Sequence, residues 1–149
     1  MSTEAPTDQA FDCSELSDDE LLTRLHDASL PGGSFHHRDH VRVTWMLLQR
    51  MPLVEVLSEL SQLLRGFAAA NGAPELYHET ITWAYIFLIA ERAHEEPVAR
   101  SWAEFEARNP DLIESGSSIL GALYSPDRLG SALARTLFVL PRGAERRTA

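Results

Sequence analysis

The pattern of apolar and polar positions along the chain is centred on residues 77–90, YHETITWAYIFLIA. From Ile81 onward this segment offers almost no polar face, and a helix that is hydrophobic on every side must be surrounded by other elements. Pro74 suits the first turn of such a helix, which would continue to about Glu95 or Glu96. The pattern therefore predicts a central helix around which the rest of the fold packs.

Three further segments place their apolar residues on one helical face, which predicts three more helices. They cover about residues 17–29, 35–50 and 52–71. Ser17 with Glu20 forms a capping box, and Ser34 is placed to cap the second helix. Shorter helices are predicted from about residue 101 to a break at residues 109–111, then for one turn through Ile113, and over about residues 117–124 and 128–137. Because no segment alternates convincingly with the period of a strand, we predict an all-α, single-domain helical bundle of four longer helices plus short helices.

Length and composition set the limits of this domain. The chain has 149 residues, of which 44% are hydrophobic, and this is enough for one sizeable core. Residues 1–14 are polar and acidic, with few large apolar groups, so we expect a disordered leader there. The helical-bundle domain is expected over residues 15–141, and a flexible tail over residues 142–149.

Charge and cysteine content limit the classes of partner and the cellular compartment that we expect. The net charge of −9 argues against a nucleic-acid partner, since such partners are held mainly by clustered Lys and Arg. No run approaches the roughly 18 consecutive apolar residues of a membrane span, and the N-terminus lacks the features of a secretory signal. The single cysteine, Cys13, cannot form an internal disulfide, which fits a reducing cytosol. We therefore expect a cytoplasmic protein of bacterial type, and leave open whether it is a monomer or a homodimer.

Two histidine-containing motifs carry the candidate chemistry. His37-x-x-His40 places two imidazoles about one turn apart on one helical face, and His78 with Glu79 could complete a ligand shell from the neighbouring helix. Neutral imidazole and carboxylate ligands suit Zn, Fe or Mn. The sequence thus predicts a divalent-metal site formed by these histidines, and an open coordination position would let the metal activate water or bind a substrate.

A polar stripe extends from this cluster along the central helix. Thr82 and Tyr85 lie within roughly 40° of the direction of His78 on a regular helix. We predict that both residues bind the ligand together with Tyr77, and that His78 and Glu79 are the catalytic residues.

The same residues also permit interpretations without a metal. His78 or His40 could act as a general base, and Glu79 is better placed than Asp39 to orient it. Alternatively, each histidine is a hydrogen-bonded core residue. Other chemistry has little support, because Glu91-x-x-His94 lacks the second copy that a di-iron site needs. The chain also contains neither a nucleophile elbow nor a glycine-rich phosphate loop.

Four motifs make the chain resemble a family of small, uncharacterised bacterial proteins. They are Phe-x-His-x-x-His, Tyr-His-Glu-Thr, a Trp followed by an Asn-Pro segment, and a closing Phe-Val-Leu-Pro. Here they occupy residues 35–40, residues 77–80, Trp102 with residues 109–110, and residues 138–141. The resemblance covers roughly residues 20–141 and implies that His37, His40, His78 and Glu79 match motif positions. It implies no activity.

These observations favour a small-molecule-binding protein with a buried His/Glu site between the second helix and the central helix. Such a site could belong to a divalent-metal-dependent hydrolase or oxygenase. The alternative is a non-enzymatic ligand-binding or protein-interaction module in which the histidines are structural. Histidines that share one site would favour the enzyme, whereas separate histidines bonded to the backbone would favour the module.

Overall fold

The structure, a computed structural model, describes residues 11–114 and 119–141, and over these ranges the backbone is helical with no strand. The α-helices are α1 (Asp18–His26), α2 (His37–Arg50), α3 (Leu53–Ala70), α4 (Glu79–Ala93), α5 (Trp102–Arg108), α6 (Pro110–Ile113), α7 (Pro126–Leu129) and α8 (Ala132–Thr136). Short 3-10 turns occur at Cys13–Glu15, Pro74–Leu76 and Leu120–Ala122. The predicted all-α, single-domain fold is confirmed.

Helix α4 is the central helix and contacts α2, α3 and α8. Its residues Ile86 and Ile89 are each 1% exposed, as expected of a segment that is apolar on nearly every side. The helix begins at Glu79 and not at Pro74, because Pro74–Leu76 forms a separate 3-10 turn and Tyr77 is extended. The N-cap of α4 is therefore His78.

Helix α2 begins two residues later than predicted, at His37, with His36 as its N-cap. The Asp39 carboxylate accepts a hydrogen bond of 2.9 Å from the backbone N–H of His36 and so satisfies one donor at the helix start. The prediction that Ser34 caps this helix is wrong, since its hydroxyl donates to the Pro31 carbonyl at 2.6 Å. The Asp39 carboxylate is thus engaged at the start of α2.

Residues near the start of the described chain pack against the helical domain. Phe11 packs against the core and Cys13 is 1% exposed, so the packed domain already includes residues that were assigned to the leader. The first ten residues of that leader, the tail over residues 142–149 and the first two residues of the predicted 117–124 helix lie outside the described residues. The predicted helix over residues 128–137 is divided into α7 and α8, because the Ser131 hydroxyl accepts a hydrogen bond from the Ala134 N–H and starts a new helix.

Three clusters of buried apolar side chains hold the helices together. The first cluster joins α1, α2 and α3 to the inner face of α4. The second packs α5 and α6 onto α2 and α4, and the third packs the segment from Leu120 to Val139 onto α4. Among the described residues, no helix combines the length and the apolar content that a membrane span requires.

Candidate binding cavity

A cavity of about 470 Å³ lies where α2, α3 and α4 meet. The exposed residues Gly32, Gly33 and Leu76 line its outer edge, and Leu76 is 75% exposed. The remaining lining comes from the segment just before α2, from one face of each of the three helices, and from the segment between α3 and α4. It includes Phe35, His37, His40, Val41, Thr44, Leu60, Leu64, Phe67, Ala68, Asn71, Ala73, Tyr77, His78, Ile81, Thr82, Tyr85 and Ile89.

His40 presents its imidazole to this cavity from α2. Its ring stacks on the ring of Phe35, with 4.3 Å between the ring centroids. Within the part of the chain that the structure describes, neither ring nitrogen of His40 has a hydrogen-bond partner. Burial, with smaller contributions from His37 and His36, lowers the pKa of His40 from 6.5 to about 4. The ring is therefore neutral near pH 7 and offers one hydrogen-bond donor and one acceptor.

His37 lines the cavity but is fastened to another element. Its Nε2 lies 2.7 Å from the carbonyl oxygen of Leu112 in α6, so Nε2 carries the hydrogen and donates it. The ring also meets the ring of Tyr85 edge to face, with 4.7 Å between centroids. His37 thus links α2 to α6.

His78 has both ring nitrogens in hydrogen bonds to the backbone. Nδ1 accepts from the N–H of Ile81 at 3.1 Å, which caps α4, and Nε2 donates to the carbonyl of Leu129 in α7 at 2.7 Å. In this arrangement neither nitrogen is free to ligate a metal or to transfer a proton. His78 thus caps α4 and links it to α7, and the metal-ligating and catalytic roles expected from the sequence stay predictions.

Glu79 is 8% exposed, and its carboxylate also has partners within the fold. Its carboxylate forms an ion pair with Arg65 of α3 and accepts a hydrogen bond of 2.8 Å from the Tyr77 hydroxyl. The Arg65 guanidinium also lies 4.8 Å from the centroid of the Tyr77 ring. Burial, assisted by the adjacent carboxylate, raises the pKa of Tyr77, so the phenol remains a donor. Glu79 therefore joins α4 to α3, and its catalytic role stays a prediction.

Thr80 completes the Tyr-His-Glu-Thr segment, and no role was predicted for it. Its hydroxyl lies 2.7 Å from the carbonyl oxygen of Ala134, 2.9 Å from that of Leu137, and accepts the N–H of Val139 at 3.1 Å. The side chain is fully buried. All four residues of the segment thus connect the start of α4 to neighbouring parts of the fold.

The predicted three-histidine metal shell is not assembled. His37 is bonded to α6 and His78 to α7, and among the described residues no group of three or more His, Cys, Asp or Glu side chains could hold a metal ion. Binding of Zn, Fe or Mn stays a prediction for which the described residues offer no ligand group.

Two predicted ligand-binding residues, Thr82 and Tyr85, line the cavity from α4 as their helical positions indicated. Neither hydroxyl has a hydrogen-bond partner among the described residues. Tyr77, the third, lines the cavity while its hydroxyl is engaged by Glu79. The cavity therefore contains a half-buried polar group, His40, and two hydroxyls within a mainly apolar surface.

The sequence did not indicate the contribution of α3 to this cavity. The apolar face of α3 was predicted, but an apolar stripe that fills a core has the same spacing as one that lines a cavity. The ion pair between Arg65 and Glu79 was not predicted either, because it joins two helices and no sequence pattern near either residue indicates it. No protein-family model, curated protein or solved structure matches this chain, so the resemblance carried by its histidine motifs stays a prediction.

Proposed function

We propose that this protein binds a small molecule in the cavity between α2, α3 and α4 and does so without catalysing a reaction. The observation that carries the proposal is the cavity of about 470 Å³ with the unpartnered His40 ring in its wall. Small-molecule sites typically have volumes of about 300–1,000 Å³ and a mainly apolar lining with a few polar groups that orient the ligand. Both descriptions apply here.

Binding is favoured over catalysis by what the other candidate groups do. His78 and Glu79 make structural contacts, so the acid–base pair expected from the sequence is not assembled. His40, with its pKa lowered to about 4, is a weak base near neutral pH, where general-base catalysis works best with a pKa close to the operating pH.

Filling the cavity tests this proposal. Ala68 lines the cavity from α3, whereas its neighbour Ala69 is exposed on the same helix, so the two positions form a matched pair. We expect wild-type protein and Ala69→Phe to bind members of a library of small aromatic and aliphatic compounds, with ligand-induced rises in melting temperature. Ala68→Phe should lose this response because the added ring occupies the space of the ligand.

Two-dimensional NMR spectra of the wild type with each bound compound would locate the binding site. Amide shifts should be concentrated at residues that line the cavity. Ligand binding that persists in Ala68→Phe, or shifts confined to another surface, would contradict the proposal.

A further inference from the structure

We infer that the ligand is an uncharged molecule with an aromatic body and a hydroxyl group that hydrogen-bonds to His40; this inference rests on the proposed binding function. Three properties of the cavity lead to it: the absence of charged side chains in its described lining, the aromatic character of its wall, and the position of its unpartnered polar groups.

The first property is the charge of the lining. Although the chain has 22 Asp and Glu and 13 Lys and Arg residues, none of these types occurs among the described residues that line the cavity. A carboxylate or phosphate ligand would find no Arg or Lys there, and a cationic ligand would find no Asp or Glu. Arg65 and Glu79, which flank Tyr77, pair with each other. Since a buried charge without a partner is strongly unfavourable, the ligand must be neutral.

The second property is the aromatic wall. Phe35 and Phe67 meet edge to face, with 5.5 Å between their ring centroids, at one side of the cavity. Tyr77 and Tyr85 line it from the segment before α4 and from α4 itself. Aromatic rings pack favourably in offset and edge-to-face arrangements, so this wall favours a ligand with a ring over a flexible aliphatic chain.

The third property is the set of unpartnered polar groups. His40, neutral and half-buried, offers one donor and one acceptor from α2, and the hydroxyls of Thr82 and Tyr85 line the same cavity from α4. A ligand hydroxyl can donate a hydrogen bond to the acceptor nitrogen of His40. The same hydroxyl can accept a hydrogen bond from another polar group of the cavity wall. A ligand without a polar atom would displace water from His40 and leave the ring unpaired.

Four probes that share a methylbenzene body separate these requirements: para-cresol, toluene, para-toluate and para-methylbenzylammonium. We expect para-cresol to bind wild-type protein about tenfold more tightly than toluene, the gain expected from one added hydrogen bond. The two charged probes should bind at least about a hundredfold more weakly than para-cresol, because each brings an unpaired charge into the apolar lining. NMR titrations near neutral pH would supply the four dissociation constants.

Variants of two histidines test the role of His40. In His40→Leu the preference for para-cresol over toluene should fall to nearly one, while toluene binding persists and shows that the cavity is intact. His94→Leu, at an exposed position beyond the far end of α4, should retain the full preference.

The outcomes distinguish this inference from the proposed function. Equal binding of para-cresol and toluene by the wild type, equal binding of a charged probe, or a para-cresol preference that survives in His40→Leu would each overturn the inference and leave the cavity as a binding site. Failure of all four probes to bind wild-type protein would overturn the inference, whereas failure of the whole compound library to bind would overturn the proposed function.

Discussion

His40 is the residue whose environment most changes its chemistry, and it should make stability depend on pH. Its pKa is 6.5 as a free side chain and about 4 in the folded protein. Between these values the unfolded chain binds the proton and the folded protein does not, so this group lowers the free energy of unfolding as pH falls. The loss in free energy of unfolding due to His40 is nearly zero above about pH 6.5 and reaches about 3 kcal/mol near pH 4.

Urea denaturation of wild-type protein and His40→Leu across this pH range would measure the effect. The stability of His40→Leu relative to wild type should rise as pH falls, since leucine has no proton to bind. His94→Leu controls for the general loss of a histidine and should show no such trend. A difference between His40→Leu and wild type that is the same at every pH would show that His40 titrates normally in the folded protein.

At the scale of secondary-structure elements, the Thr80 hydroxyl should stabilise the packing of the segment after α8 against α4. Replacing it with valine keeps the shape but leaves the Val139 N–H and the Ala134 carbonyl without their partner. Each buried group left unpaired costs about 1–3 kcal/mol, so Thr80→Val should lower the free energy of unfolding by at least about 2 kcal/mol.

Thr136 in α8 provides the matched control, because its hydroxyl donates to the Ala132 carbonyl at an exposed position. Thr136→Val should change the free energy of unfolding by less than about 0.5 kcal/mol. Hydrogen exchange gives a local measurement, since the Val139 amide should exchange faster in Thr80→Val alone. Unchanged protection of that amide would show that Thr80 does not hold the segment.

The sequence predicts a helix well where the residues that fix its ends lie close together in the chain. Ser17 with Glu20 and Ser101 with Glu104 mark the starts of α1 and α5, because a capping side chain bonds within three residues of itself. Helical geometry also placed Thr82 and Tyr85 on the face of α4 that lines the cavity.

The partners of those inward-facing residues could not be predicted in the same way. His37 bonds to a carbonyl 75 residues away and His78 to one 51 residues away. Nothing near either histidine in the chain encodes these contacts, and any histidine on an inner face is equally compatible with a metal ligand or a backbone bond. The sequence therefore indicated that these histidines face the interior, whereas the three-dimensional packing leaves His40, of the three, without a hydrogen-bond partner among the described residues.

Among the described residues, charged side chains lie outside the cavity lining, and several acidic side chains lie near the C-terminal end of α4. The net charge is −9, and Glu91, Glu95 and Glu96 are exposed around the C-terminal end of α4. That end carries the negative pole of the helix dipole, so acidic groups there are unfavourable. Arg92, the basic residue of the last turn, is bonded to Asp111 and contributes only part of the compensation.

Removing one of these charges should therefore stabilise the protein. Glu91→Gln is expected to raise the free energy of unfolding by about 0.3–1 kcal/mol at low ionic strength, because it relieves both the dipole and the surplus of negative charge. The gain should nearly vanish at about 1 M salt, where the Debye length is about 3 Å. Glu20→Gln is the opposite control, since Glu20 lies in the first turn of α1, where a negative charge is favourable, and its loss should destabilise. Equal effects of the two substitutions, or a gain in Glu91→Gln that salt does not reduce, would show that position along the helix dipole does not govern the electrostatics of this fold.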